Sequence, residues 1–207
     1  MSRVFFTVAI ALLLTACAGS CAMPTDQDDD VAGAPLWDGA TLDGWRGDPA
    51  LWRVEDGTIV GETDGTLARN SFLIYDGDFT DFTLTLDFKL RNHNSGVQFR
   101  SHDLDADFHV GGPQADIADD SVMASLSLEP GGTVDATDAS AFVHAGAWNH
   151  YRINASGAHI TLALNDHVTI DDADGIPNAP LHGFFALQLH TGDAMKVQFK
   201  NIALSGP

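Results

Sequence analysis

The sequence is poor in cysteine, in glutamate and in positive charge. Only Cys17 and Cys21 occur among 207 residues, which excludes metal sites built from clusters of thiolates. Lys and Arg total 10 against 29 Asp and Glu, a formal net charge of −19. A chain so short of cations has nothing to neutralise phosphates, so nucleic acid is excluded as a partner. The acidity is almost all Asp, with Glu55, Glu62 and Glu129 the only glutamates, and it reads as a solvated, salt-adapted surface. Asp103, Asp105 and Asp107 have the every-second-residue spacing of a calcium loop. Phe108, however, stands where an EF-hand needs Gly, and Gln114 where it needs a bidentate Glu. An EF-hand is excluded, and a looser calcium site is the lesser reading.

Long apolar runs and helical periodicity are missing as well. The longest apolar stretch, Val4 to Leu14, is too short for a membrane-spanning helix, which needs about 20 residues. With Arg3 before it, it has the charged start and apolar middle of a signal peptide. It ends in Leu14-Thr15-Ala16-Cys17, which resembles a bacterial lipobox; residues 1–16 are then the lipoprotein signal and Cys17 the lipidated first residue. Cys21 is left as a lone thiol, and no intramolecular disulfide holds the fold. Ala18 rather than Asp follows the cysteine, which points to the outer membrane. The expected location is therefore the cell envelope, with the lipid anchor as the only membrane contact. Residues 17–34 are polar and small, with Asp26-Gln27-Asp28-Asp29-Asp30 at their centre. They bury too little apolar surface to offset the entropy of ordering, and read as a flexible tether.

The chain of 207 residues, 44% apolar over its full length, suits one domain with a substantial core, which falls to residues 35–207. No amphipathic helical repeat exceeds two turns. Short alternating runs separated by turn residues recur instead, the clearest being Phe82 to Leu90, which puts Leu84, Leu86, Phe88 and Leu90 on one face. Leu51-Trp52-Arg53-Val54, Asp56-Gly57 and Thr58-Ile59-Val60-Gly61 read as a hairpin. Further strands are expected at Ser71 to Tyr75, Ala147 to Asn154, Ala158 to Leu164, His167 to Ile170, Gly183 to His190 and Met195 to Leu204, with loop from Val134 to Phe142. The pattern predicts an all-β sandwich or jelly roll.

The central stretch Asn94 to Glu129 carries the functional signal. Val97-Gln98-Phe99-Arg100, Gln114-Ala115-Asp116-Ile117 and Leu126-Ser127-Leu128-Glu129 each alternate apolar with polar residues. In neighbouring strands they would place Gln98, Arg100, Gln114, Asp116, Ser127 and Glu129 on one polar surface. The run ending at His190 adds Gln188 to that surface.

Several blocks in order resemble the 3-keto-disaccharide hydrolase family. They are Leu42-Asp43-Gly44-Trp45, Val54-Glu55-Asp56-Gly57, Asn94-Ser95-Gly96-Val97-Gln98-Phe99-Arg100, Gly112-Pro113-Gln114-Ala115-Asp116-Ile117, Trp148-Asn149-His150-Tyr151-Arg152-Ile153, Leu187-Gln188-Leu189-His190 and Phe199-Lys200-Asn201-Ile202. The resemblance runs from Pro35 to Leu204. It implies a concanavalin A-like jelly-roll β-sandwich of two antiparallel sheets and cleavage of glycosides whose C3 hydroxyl has been oxidised to a ketone. One departure is visible: Ser127 stands where many relatives resemble Gly-Ser-Leu-Tyr ahead of an acidic residue.

A 3-keto sugar acidifies the hydrogen on C2, so a base can remove it and expel the C1 substituent. The chemistry needs a base, a group to stabilise the enolate and an acid. His190 is the candidate base or acid. Asp116 and Glu129 serve either as general acid and base or, with His109 and His190, as ligands of a divalent cation. Arg100 either holds the enolate through its fork of donors or pairs with Asp116. Gln98, Gln114, Gln188 and Asn94 are candidate substrate-binding residues, and Trp45 the candidate sugar-stacking ring, whereas Trp52 and Trp148 read as core. The competing readings are a non-catalytic carbohydrate-binding module and, last, a retaining glycosidase with paired carboxylates.

Overall fold

The computed structural model describes residues 33–105 and 108–206. The expected signal peptide, Cys17 and the tether up to residue 32 lie outside the described residues. Fifteen strands follow in order: β1 (Ala34–Pro35), β2 (Trp45–Arg46), β3 (Trp52–Glu55), β4 (Thr58–Thr63), β5 (Ser71–Phe79), β6 (Phe82–Leu90), β7 (Asn94–Asp103), β8 (Val110–Ala118), β9 (Leu126–Glu129), β10 (Gly132–Asp135), β11 (Asn149–Ser156), β12 (His159–Leu164), β13 (His167–Asp172), β14 (Gly183–Leu189) and β15 (Met195–Ser205). Among the described residues no helix forms.

The strands make two antiparallel sheets. One runs β13-β12-β11-β6-β15-β4-β3 with β1 against β15, and the other runs β10-β9-β8-β7-β14-β5-β2. Alternation explains why they stack. Leu84, Leu86 and Phe88 of β6 meet Val97 and Phe99 of β7, Ala115 and Ile117 of β8 and Leu187 and Leu189 of β14 in one buried core. These strands thus turn one alternate set of side chains into the shared core and the other set to the outer face of their sheet.

Turn chemistry sets the connections. Asp56 and Gly57 both take positive φ, 50° and 68°, the combination that suits a two-residue hairpin between β3 and β4. Asn165 and Asp166, at 49° and 66°, do the same between β12 and β13. The stretch expected as loop from Val134 contains the end of β10, whose four residues are all exposed; an edge strand buried on neither face has no hydrophobic alternation to betray it.

The topology brings the three central runs side by side, as β9-β8-β7, with β14 next in line. Gln98 faces Gln114 across β7 and β8, Gln114 faces Ser127 across β8 and β9, and Ala186 lies opposite Gln98 on β14. The outward face of this second sheet is where the polar side chains collect.

Candidate functional site

The outward face has a buried polar floor. Gln98, Gln114, Asp116, Ser127 and Gln188 are all buried and bonded to one another. Gln98 donates through Nε2 to Gln114 Oε1 at 2.8 Å, and Gln114 Nε2 donates to Asp116 Oδ1 at 2.7 Å and to Gln188 Oε1 at 3.4 Å. Ser101 Oγ donates to Gln98 Oε1 at 2.7 Å. The remaining Asp116 oxygen accepts from Ser125 Oγ at 2.9 Å and from Ser127 Oγ. Buried polar groups that are all partnered stiffen a site, whereas one left unpaired would cost stability. Gly96 makes the ladder feasible. It lies opposite Asp116, and a Cβ there would come within 2.5 Å of Gln114 Cδ.

Above the floor stand groups that remain partly exposed. Glu129 is half-buried. Its Oε1 accepts from Asn70 Nδ2 at 3.3 Å and its Oε2 faces Gln188 Nε2 at 3.5 Å. Asn70 is itself fixed by the Thr191 amide, which donates to its Oδ1 at 2.9 Å. His190 and His93 converge on a single acceptor, the Thr191 carbonyl, through His190 Nδ1 at 2.5 Å and His93 Nε2 at 2.8 Å. A carbonyl only accepts, so these nitrogens carry the protons, and neutral His190 keeps a lone pair on Nε2. The two rings meet edge to face, 5.3 Å between centroids. Asn94 shares the face through its register with β8.

Burial governs the acid–base character of both carboxyls. It pushes Asp116 up, against the opposing pull of Gln114, Ser127 and Ser125. It also pushes Glu129 up, against the Asn70 hydrogen bond and the fields of His190 and His109. The two differ in reach: Asp116 is enclosed, with donors on both oxygens, and Glu129 opens to the surface.

Beside the floor the face is apolar. Phe72, Ile74, Val110, Phe184 and Ala186 form a second cluster, with Phe108 packed on it. Arg46 lies over the Phe184 ring at 5.4 Å and bridges Asp76 at 2.8 Å and Asp103 at 2.7 Å. Arg69 binds Asp105 at 2.8 Å, and His109 Nδ1 lies 3.4 Å from the same carboxylate. Asp103 and Asp105, the described members of the acidic triplet, therefore serve ion pairs at the rim.

Two expected site residues are elsewhere. Arg100 neither joins the polar face nor pairs with Asp116. Between Gln98 and His102 the pairing of β7 with β8 shifts register, and Arg100 takes a positive φ of 49°. This bulge inserts one extra residue, so Ser101 follows Gln98 on the polar side and Arg100 is turned away. Its guanidinium, 1% exposed, donates to the carbonyls of Thr80 and Gly157, both at 2.7 Å, and to Asp81 at 3.1 Å. It pins two turns together. Trp45 is likewise no stacking platform. It lies opposite Tyr75, with Arg46 opposite Ile74, so the tryptophan points with the core and packs on Tyr75 at 5.0 Å between ring centroids. Arg46 holds the place on the outward face.

The expected metal ligands also fail to gather. Among the described residues no three His, Cys, Asp or Glu side chains form a metal-holding group. His109 turns to Asp105, Asp116 to its three donors, and Glu129 to Asn70. Sequence reasoning missed Asn70, His93, Ser101, Ser125 and Arg46. Asn70 is 59 residues from Glu129 and no local pattern links them; the serines lack any motif.

The sequence model of the 3-keto-alpha-glucoside-1,2-lyase-like domain family matches residues 33–205. None of the curated protein sequences matches the chain. Among solved structures, a candidate glycosyl hydrolase from Parabacteroides distasonis is similar, at 22% identity and TM-score 0.62, over 83% of this chain and 92% of that one. A carbohydrate-binding module, CBM66, from Bacillus subtilis is similar at 22% identity and TM-score 0.59, over 79% and 96%. A Bacillus subtilis protein of unknown function with a galectin-like fold matches at 11% identity and TM-score 0.60, over 80% and 90%. At these identities the structures establish the sandwich fold alone.

Proposed function

Because the chain belongs to the 3-keto-alpha-glucoside-1,2-lyase-like domain family, we propose that it cleaves 3-keto-glycosides on the face that carries Glu129 and His190. The observation that carries the reading is a half-buried carboxyl, raised by burial and held by Asn70 and Gln188, on the face that also carries His190. A raised carboxyl stays protonated to higher pH, as a general acid must.

His190 Nε2 is the base: it takes the proton from C2, and the electron pair of that bond passes to the C3 oxygen as an enolate. As the enolate collapses, a C1–C2 double bond forms and the C1–O bond breaks, and Glu129 gives its proton to the departing oxygen. Water then returns hydroxide to C1 and a proton to C2. Asn94 supplies an amide donor toward the enolate. Asp116 is a positioning residue: through Gln114 it holds the amide of Gln188, which faces Glu129. Ser127 belongs to the same support, as a donor to Asp116, so the absent tyrosine is replaced by a structural bond.

A second reading is a carbohydrate-binding module without catalysis. It is favoured by the internal satisfaction of the glutamine ladder, which leaves few amides free to change partners during a reaction, and by similarity to the Bacillus subtilis module. One experiment separates the two: the 3-keto and unoxidised forms of one glycoside are incubated with the protein and free aglycone is measured. Release from the keto form alone supports catalysis. Saturable binding without release supports the module.

A further inference from the structure

The opposite side of the sandwich carries a concentration of positive charge that the reading above does not use. Arg53, Lys89, Arg91, Arg152, Lys196 and Lys200 belong to the outward face of the first sheet or its rim, six of the 10 Lys and Arg in a chain of net charge −19. Lys89, Arg91 and Lys196 line one cleft of about 390 Å³ with Gln198 and Gly146, a volume within the usual range for small-molecule sites.

Strand register forces these cations together. Lys89 lies opposite Gln198, and the Arg91 amide donates to the Lys196 carbonyl at 2.9 Å, so Arg91 and Lys196 are lateral neighbours with Lys89 beside them. Like charges placed across a ladder cost stability. The two local carboxylates, Glu55 and Glu62, offset this only in part, since they face four cations and lie closest to Arg53. Glu55 lies 2.8 Å and Glu62 2.7 Å from its guanidinium, against 3.7 Å from Lys196 to Glu55 and 4.0 Å from Arg91 to Glu62. Among the described residues Lys89 has no carboxylate within ion-pair distance.

We infer that this cleft binds an oxyanion, a carboxylate, sulfate or phosphate group carried by a small ligand and held between Lys89, Arg91 and Lys196, with the Gln198 amide as a neutral donor. Charge-assisted hydrogen bonds from three cations would relieve their mutual repulsion. A further cleft that shares Arg91 and Gly146 is lined by Phe88, Leu90 and Met123 and also by Asp119, so the favourable place for an anion is the lysine side of Arg91.

The test is calorimetric titration of the full chain at low ionic strength with inorganic phosphate, sulfate, glucuronate and, as the neutral control, glucose. The expected result is saturable binding of at least one anion, none of glucose, and weakening by added salt. Lys89→Gln with Lys196→Gln is expected to weaken it about tenfold or more. Arg152→Gln, which removes a charge from the same face outside the cleft, is expected to leave it unchanged. Similar affinity for all three anions assigns a bare oxyanion site, and preference for glucuronate an acidic sugar. Absence of anion binding, equal binding of glucose, or equal loss in Arg152→Gln overturns the inference.

Discussion

In the proposed reaction, position divides the work of two carboxyls of similar surroundings, Glu129 and Asp116. Burial raises both, but only Glu129 opens outward. A general acid is active while protonated, so the limb that Glu129 sets is a fall in activity as pH climbs through its raised value. Glu129→Gln is expected to lower kcat about 100-fold or more and to remove that alkaline limb from the pH–rate profile, with little change in KM. Arg100 makes the opposite case. Replacing it by Met leaves the Thr80 and Gly157 carbonyls without their donor and should cost about 2 to 4 kcal/mol in urea denaturation. A purely kinetic defect with unchanged stability would return Arg100 to the reacting centre.

At the scale of the strand, alternation made much of the site legible. Gln98, Gln114, Asp116, Ser127 and Gln188 were readable because β7, β8, β9 and β14 obey a period of two against one core. That logic ends where period is interrupted or too short to read. The bulge in β7 falls on Arg100-Ser101, which has no glycine or asparagine to announce a positive φ, so every residue beyond it changes side. Strand β2 has two residues, and two residues do not reveal which of Trp45 and Arg46 turns inward. Trp148, read as core, instead stacks with Lys200 at 4.1 Å, outside the buried cluster. The glycine in β7 offers a test of the ladder: Gly96→Ala drives a methyl into Gln114. It should cost about 1 to 3 kcal/mol and weaken sugar binding, both measurable on one preparation by denaturation and titration.

On the scale of the molecule, two sheets share one core and present chemically different outer faces, a polar acid–base face around Glu129 and a cationic cleft around Lys89. The fold class was legible from strand count and turn residues. The pairing of Asn70 with Glu129 was not, because loops set by tertiary packing have no period. The proposed lipid anchor at Cys17 predicts that labelled fatty acid is incorporated into the full chain and lost in Cys17→Ser. The central claim is removal of the C2 proton on the Glu129–His190 face. Its most direct measurement is cleavage of a 3-keto-glycoside in D₂O, with an enzyme-free control for spontaneous exchange, followed by NMR at C2 of the released keto sugar. The account predicts deuterium at C2 in step with aglycone release, and loss of both in His190→Ala. Aglycone release with hydrogen retained at C2 would contradict it.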